Sequence, residues 1–173
     1  MHANHPDIRL DPLTPADFDT VATLAHTIWH AHYGSFIDPA QLDYMLAGRF
    51  TAENLQRYVD SDVRWLRVLR VDGAAAGYCS WSLGERADEM KLEQLYVSSD
   101  HKGRGLGGRM MRCIEADALA RDRPLLFLTV NKGNADSIAI YRKSGFTLRE
   151  AAVFDIGNGY VMDDYVMEKR LAG

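Results

Sequence analysis

A glycine-rich loop that carries cations is the part of the sequence whose residue types most directly indicate chemistry. It holds four glycines and two cations in seven positions: Lys102, Gly103, Arg104, Gly105, Leu106, Gly107 and Gly108. The loop follows an apolar strand-like run over 92–97 and opens a helix-like run over 109–121. Glycines let backbone N–H groups crowd around an anion, and a helix start adds unpaired donors and a positive dipole end. The loop therefore predicts a phosphate-binding site.

Two familiar nucleotide-binding patterns fit this loop poorly. The glycines at 103, 105 and 108 have the dinucleotide spacing, but five residues, 98–102, separate the preceding strand from the first glycine, where a tight turn is required. No Asp or Glu closes the next strand, so an acceptor for a ribose hydroxyl is missing. No Lys-Ser or Lys-Thr pair follows the glycines, which excludes the loop of P-loop NTPases. A dinucleotide-dependent oxidoreductase is therefore the least supported interpretation.

A second segment lies shortly after the loop and contains Asn134, Ser137, Tyr141, Gly145 and Phe146. With both segments the chain resembles the GNAT-type N-acetyltransferases. Their patterns are (Gln/Arg)-x-x-Gly-x-(Gly/Ala), and Asn-x-x-Ala-x-x-x-Tyr followed by Gly-Phe. Lys102 stands here for the first Gln or Arg, and Ser137 stands for the Ala. The two segments occur in the family's order and spacing, so the resemblance is specific.

The resemblance also favours one group within the family. It is sharpest over 92–146, and the chain is similar to bacterial polyamine acetyltransferases in three features. These are Glu93, the helical region 28–46 and the hairpin 154–167. The resemblance leaves a homodimer open, although no interface can be identified in the sequence.

The resemblance implies acetyl-CoA as the cosubstrate. The amides of the glycine loop wrap its pyrophosphate, and the bulged strand before the loop leaves backbone groups free to pair with the pantetheine arm. The following strand diverges and leaves room for the thioester. The residues so implied to bind acetyl-CoA are 102–108 together with Leu95, Tyr96, Val97, Asn134, Tyr141 and Lys143. Asn134 is equally suited to cap the next helix, and Lys143 to lie in solvent.

Acetyl transfer needs a neutral amine and a proton for the departing thiolate. Tyr141 holds the family's position for the acid, and a tyrosine hydroxyl still carries its proton at neutral pH. Glu93 is the candidate base, because an alkylamine with a pKa near 10 is mostly protonated at pH 7. The alternative interpretation is structural: Tyr141 is then a core tyrosine, and Glu93 is a carboxylate on the surface. We expect direct transfer in a ternary complex, without a covalent enzyme intermediate.

The orientation of Glu93 depends on the bulge that the resemblance implies. By two-residue alternation Glu93 shares a sheet face with Leu95 and Val97, which the resemblance places beside acetyl-CoA. A bulge that shifts the phase would instead turn Gln94 or Lys91 inward.

Aromatic residues and carboxylates are the candidates for binding the acceptor, because together they suit a cationic amine. The aromatic group is Trp29, His32, Tyr33 and Phe36, and the group near the last hairpin is Asp155, Asp163, Asp164 and Tyr160. A packed helix edge beside a solvated turn explains the same residues. We expect a small-molecule primary amine, with a polyamine as one candidate. Acetylation of a protein or peptide amine, and a non-catalytic module that binds acyl-CoA, are alternatives.

The elements that position these residues follow the order β-α-α-α-β-β-β-α-β-α-β-β. The predicted strands are 8–10, 64–71, 75–83, 90–97, 125–130, 146–154 and 160–171. The first predicted helix starts near Thr14-Pro15, and the other four cover 39–46, 52–59, 109–121 and 135–143. Hairpins mixed with helical crossovers predict an α+β fold. The resemblance implies one domain over 1–173, with a mostly antiparallel mixed sheet, helices on both faces, and the CoA-binding core at about 90–146.

Composition excludes several classes of function. The chain of 173 residues has a net charge of −4, whereas a general nucleic-acid binder is usually basic. Cys79 and Cys113 fit no metal or redox spacing and are expected to be reduced core thiols. His26 and His30 lie four apart with no third ligand visible, so no metal site is predicted. The polar start, 1–10, predicts neither a signal peptide nor a membrane span, and we expect a cytoplasmic protein.

Overall fold

The computed structural model describes residues 4–172, which contain seven strands and five α-helices. The strands are β1 Ile8–Pro12, β2 Arg64–Val71, β3 Ala74–Leu83, β4 Glu89–Val97, β5 Leu125–Asn131, β6 Thr147–Gly157 and β7 Tyr160–Arg170. The helices are α1 Phe18–Tyr33, α2 Pro39–Arg49, α3 Ala52–Gln56, α4 Leu106–Ala120 and α5 Ala135–Lys143. Their order is the predicted one. Residues 1–3 and 173, which the predicted domain includes, lie outside the described residues.

Side-chain caps explain where several helices begin. Asp38 accepts from the Ala40 N–H at 2.8 Å, and Thr51 accepts from the Asn54 N–H at 3.2 Å. Each cap satisfies one of the donors that a helix start leaves unpaired. The helix after the glycine loop begins at Leu106, three residues earlier than predicted, so the glycines belong partly to its first turn.

The seven strands form one mixed sheet in the order β1-β2-β3-β4-β5-β7-β6. Among the described strands β4 and β5 are the parallel neighbours, and the other pairs are antiparallel. One face packs on α4 and α5 through Met110 and Ile138, and the other packs on α1–α3 through Trp29 and Leu55. The predicted α+β fold with helices on both faces is therefore confirmed.

A bulge interrupts β4 at Glu93. Ser80 of β3 lies opposite Gln94, but the next residue, Trp81, lies opposite Leu92. Glu93 is therefore an extra residue without a cross-strand partner, which bends the strand and reverses the alternation of side chains around it.

The parallel pair β4–β5 is paired over only three residues, Glu89–Lys91 with Leu125–Phe127. On its other edge β5 pairs with β7 along its whole length, and beyond Lys91 β4 continues to pair with β3. The two strands therefore diverge and open the sheet between them, as the resemblance implied.

The two cysteines are free thiols. Cys79 is buried, and burial raises its thiol pKa, whereas Cys113 is half-buried and packs against the core. Among the described helices, none combines the length and the apolar character needed to cross a bilayer.

Candidate active site

A cleft of about 1670 Å³ occupies the opening between β4 and β5 and reaches both faces of the sheet. The part on the side of α4 and α5, here called the loop half, includes Leu95, Val97, Gly103, Gly105, Ile140 and Tyr141. The part on the side of α1–α3, here called the hairpin half, includes Tyr44, Tyr58, Glu93, Gln94, Phe154 and Asp164. A molecule lying in the opening can therefore be reached from both faces.

The glycine loop forms an anion-binding geometry in the loop half. Gly103 and Gly105 have φ values of 78° and 73°, a left-handed conformation that disfavours any residue with a Cβ. A Cβ added at either glycine would meet nothing within 4 Å, so space remains above the backbone. Gly105 is the N-cap of α4, and no described side chain caps this helix start. The first N–H groups of α4 therefore remain available to a pyrophosphate.

The backbone of β4 supplies a second set of free groups. The Ser98 N–H donates to the Ala76 carbonyl at 2.8 Å, so Ser98 faces β3. Because the direction of backbone groups alternates, those of Val97 and Leu95 point away from β3 and into the opening. This edge fits an extended amide-bearing chain such as the pantetheine arm.

Two residues of the predicted cofactor set lie away from the cleft. Arg104 and Lys143 are exposed and do not contribute to its wall. The remaining predicted members line it, including Tyr96, Lys102 and Asn134.

Tyr141 lies on α5 in the wall of the loop half. Its ring packs edge-on against Phe146, with centroids 5.7 Å apart. Burial raises the pKa of Tyr141 to about 12, so its hydroxyl keeps its proton throughout the ordinary pH range. The group can therefore donate a proton to an atom in the cleft.

Asn134 joins α5 to α1. Its Oδ1 accepts from the Ser137 N–H at 3.2 Å, which caps α5, and its Nδ2 lies 2.9 Å from Nε2 of His32. Burial and the nearby Lys102 ammonium lower the pKa of His32. A neutral His32 ring can therefore accept from the Asn134 amide and fix the start of α5.

Glu93 points toward α3 and lies in the hairpin half. The Tyr58 hydroxyl lies 3.1 Å and 3.3 Å from the two Glu93 carboxylate oxygens and donates to them. Leu95 and Val97 instead pack on the core of the opposite face. The expectation that Glu93 shares their face is wrong, because the bulge reverses the alternation.

A buried tyrosine pair packs against the core of the α1–α3 face. The hydroxyls of Tyr33 and Tyr96 are 2.5 Å apart, and burial raises the pKa of both. Trp29 packs against Tyr33 with centroids 5.5 Å apart. Trp29 and Tyr33, which were predicted to bind the acceptor, line the cleft. Phe36, predicted with them, packs against Tyr33 and does not line the cleft.

The β6–β7 hairpin is held against α2. The Tyr44 hydroxyl donates to the Ile156 carbonyl at 2.9 Å, and Gln41 Nε2 donates to the Val161 carbonyl at 3.0 Å. Tyr160 packs against Tyr44, with the rings tilted and their centroids 5.4 Å apart, but does not itself line the cleft. Sequence reasoning missed Tyr44 and Tyr58, since neither stands in a motif.

Of the three carboxylates near the last hairpin, Asp164 alone lines the cleft. Asp155 is exposed and accepts from the Gly157 N–H, and Asp163 pairs with Lys132 at 2.7 Å.

A third potential metal ligand accompanies His26 and His30. Asp43 of α2 places Oδ1 at 2.9 Å from His30 Nε2 and 4.0 Å from His26 Nε2. Spacing in the sequence does not indicate this neighbour, because it lies on another helix.

The chain matches the model of the acetyltransferase (GNAT) family over residues 23–146 and belongs to this family. The predicted family is therefore confirmed. PaiA N-acetyltransferase from Thermoplasma acidophilum, solved in complex with coenzyme A, shares the fold with a TM-score of 0.80 and 17% identity. The match covers 95% of this chain and 99% of that one.

Two curated relatives show how much of the chain is shared. Streptothricin acetyltransferase of Streptomyces lavendulae is 32% identical over 87 residues, 50% of this chain and 46% of the relative. IAA acetyltransferase of Azospirillum brasilense is 29% identical over 114 residues, 63% of this chain and 74% of the relative. The chain thus matches less than half the length of streptothricin acetyltransferase.

Proposed function

We propose that the protein transfers an acetyl group from acetyl-CoA directly to a primary amine of a small molecule, with both bound at once. The observation that carries this proposal is the cleft that passes between β4 and β5, with Tyr141 on one side and Glu93 on the other. Polyamines are one candidate acceptor. Streptothricin acetyltransferase is named for a small molecule, which supports a small acceptor here.

Each half of the cleft has its own part in the proposed reaction. Acetyl-CoA, when bound, supplies an acetyl thioester. The glycine loop and the edge of β4 orient it from the loop half. Tyr141 donates its hydroxyl proton to the departing sulfur.

Glu93, which lies in the hairpin half, accepts the proton that the amine loses. Its carboxylate is held by the Tyr58 hydroxyl and has acceptor capacity left for an incoming N–H. Because Tyr141 and Glu93 lie on opposite sides of the opening, Tyr141 can act on the sulfur while Glu93 acts on the amine. A cytoplasmic location, a homodimer and a single domain stay predictions.

The proposal is tested by following the release of free CoA thiol from acetyl-CoA over a panel of mono-, di- and polyamines. Turnover that depends on an amine, with an acetylated amine identified by mass spectrometry, supports it. Strong thermal stabilisation by acetyl-CoA with no product on any amine would point instead to a module that only binds acyl-CoA.

A further inference from the structure

A buried carboxylate in the hairpin half lacks a hydrogen-bond donor. Asp164 of β7 is only 6% exposed, yet its Oδ1 has no partner among the described residues. Burying a carboxylate oxygen without a donor is costly, and such groups are rare in folded proteins. Because Asp164 lines the cleft, a bound molecule can supply the missing donor.

The charged neighbours of Asp164 do not supply that donor. Asp163, beside it on β7, pairs with Lys132 at 2.7 Å on the opposite side of the strand. Lys91 of β4 acts on Asp164 through its charge across the opening but makes no ion pair within the described residues. Across the sheet Asp164 lies opposite Asn131 of β5 and Ala152 of β6, neither of which is charged.

A second unpaired acceptor lies on the same sheet face. Gln94 is 4% exposed and lines the cleft; its Nε2 donates to the Ser80 hydroxyl at 3.3 Å, and its Oε1 has no partner among the described residues. Two buried acceptors that lack donors call for a ligand with several N–H groups and a positive charge. An alkylammonium has three such donors.

We propose that Asp164 forms a subsite for a second, non-reacting ammonium of the acceptor, and so selects diamines over monoamines. The proposal rests on the acetyl transfer proposed above and adds the substrate class to it. The subsite suits a non-reacting group, because pairing with a carboxylate keeps an amine protonated and unable to attack a thioester. Glu93 at the bulge remains the group for the amine that reacts.

The test compares Asp164→Asn with Asp163→Asn, a matched change at the exposed neighbour. Acetylation is followed with a diamine such as 1,4-diaminobutane and with butylamine, a monoamine of the same length. We expect Asp164→Asn to raise KM for the diamine about ten- to a hundredfold, as loss of a charge-assisted hydrogen bond predicts. KM for butylamine, kcat for both amines and acetyl-CoA binding should stay within about twofold, and Asp163→Asn should behave like the wild type.

A binding measurement separates this proposal from the proposed reaction. The diamine without acetyl-CoA should raise the melting temperature of the wild type and of Asp163→Asn, but not that of Asp164→Asn. If no amine is acetylated but this stabilisation appears, the reaction fails and the subsite stands.

Two results would overturn the subsite. One is an equal loss of kcat for mono- and diamines in Asp164→Asn, which would make Asp164 a base. The other is a lower melting temperature of unliganded Asp164→Asn, which would mean that the carboxylate already has a partner, with Lys91 the nearest candidate.

Discussion

The Tyr58 hydroxyl donates to the carboxylate of Glu93, at 3.1 Å and 3.3 Å from its two oxygens. The contact joins the turn after α3 to the bulge of β4, 35 residues apart. It exists because the bulge turns Glu93 toward the α1–α3 face, away from Leu95 and Val97. In the proposed reaction this contact holds the base beside the amine.

Removing that contact should slow the reaction without weakening acetyl-CoA binding. We expect Tyr58→Phe to lower kcat/KM about tenfold, since one hydrogen bond to a charged group is lost. Steady-state kinetics and a binding titration with acetyl-CoA check both parts. Tyr160→Phe, which lies outside the cleft wall, is the matched control. An unchanged kcat/KM in Tyr58→Phe would show that the hydroxyl does not position Glu93.

The left-handed conformation of Gly105 gives a prediction for the stability of the loop. Gly105→Ala should destabilise the fold by about 1–2 kcal/mol, because a Cβ is strained at φ 73° although it meets no neighbour. Gly48→Ala is the control, since Gly48 is helical and equally open; it should stabilise by about 0.5–1 kcal/mol. Urea denaturation measures both. Equal effects of the two changes would contradict the backbone argument.

The contact between α2 and the hairpin predicts that substitutions at Gly157 and Tyr44 have coupled effects on stability. A Cβ at Gly157 would lie 2.6 Å from the Tyr44 hydroxyl oxygen, whereas a Cβ at Gly159 would meet nothing within 4 Å. Both glycines have positive φ, so backbone strain is common to the two. Gly157→Ala should therefore cost about 1 kcal/mol more than Gly159→Ala.

Removing the clashing atom should recover that difference. Tyr44→Phe combined with Gly157→Ala is expected to be more stable than the sum of the single changes predicts, which a double-mutant cycle by urea denaturation measures. Additive effects would mean that the Tyr44 hydroxyl does not restrict Gly157.

Asp164 predicts a pH dependence of stability. Burial, reinforced by Asp163 and opposed by Lys132 and Lys91, raises the pKa of Asp164 from 3.8 to about 6. A raised carboxyl pKa stabilises the fold fully below the ordinary value, and this stabilisation is lost as the pH rises through about 6. Asp164→Asn, which stays neutral, should have the same melting temperature as the wild type near pH 4. Its melting temperature should exceed that of the wild type by a growing amount as the pH rises toward 7.

Melting temperatures of the wild type and Asp164→Asn between pH 4 and pH 7.5 check this sign. Asp155→Asn, at an exposed position outside the cleft wall, is the control. A difference between Asp164→Asn and the wild type that is constant with pH would mean that the carboxyl of Asp164 titrates normally.

The sequence was sufficient to predict the element order and the glycine loop, because both rest on local signals. The bounds of α5, 135–143, followed from its cap and from Ser144-Gly145, and the structure has the same bounds. The direction of Glu93 was not predictable, since a one-residue bulge depends on how β3 and β4 pair. The link between His32 and Asn134, 102 residues apart, has no local signal at all.

Asp164 shows the same limit in the binding site. Three carboxylates near the last hairpin looked equivalent in sequence. Register with β5 and β6 decides that Asp164 is buried in the cleft while Asp163 pairs with Lys132 at the surface. Such selection depends on tertiary packing, which residue types alone do not encode.

The most direct test of the central claim is CoA thiol release at saturating acetyl-CoA and amine by the wild type, Tyr141→Phe and Glu93→Gln. Tyr160→Phe and Glu53→Gln, both outside the cleft wall, are the controls. Proton transfer from opposite sides of the opening predicts that each cleft variant loses about a hundredfold in kcat while the controls keep wild-type rates. Full turnover by both cleft variants would contradict the account.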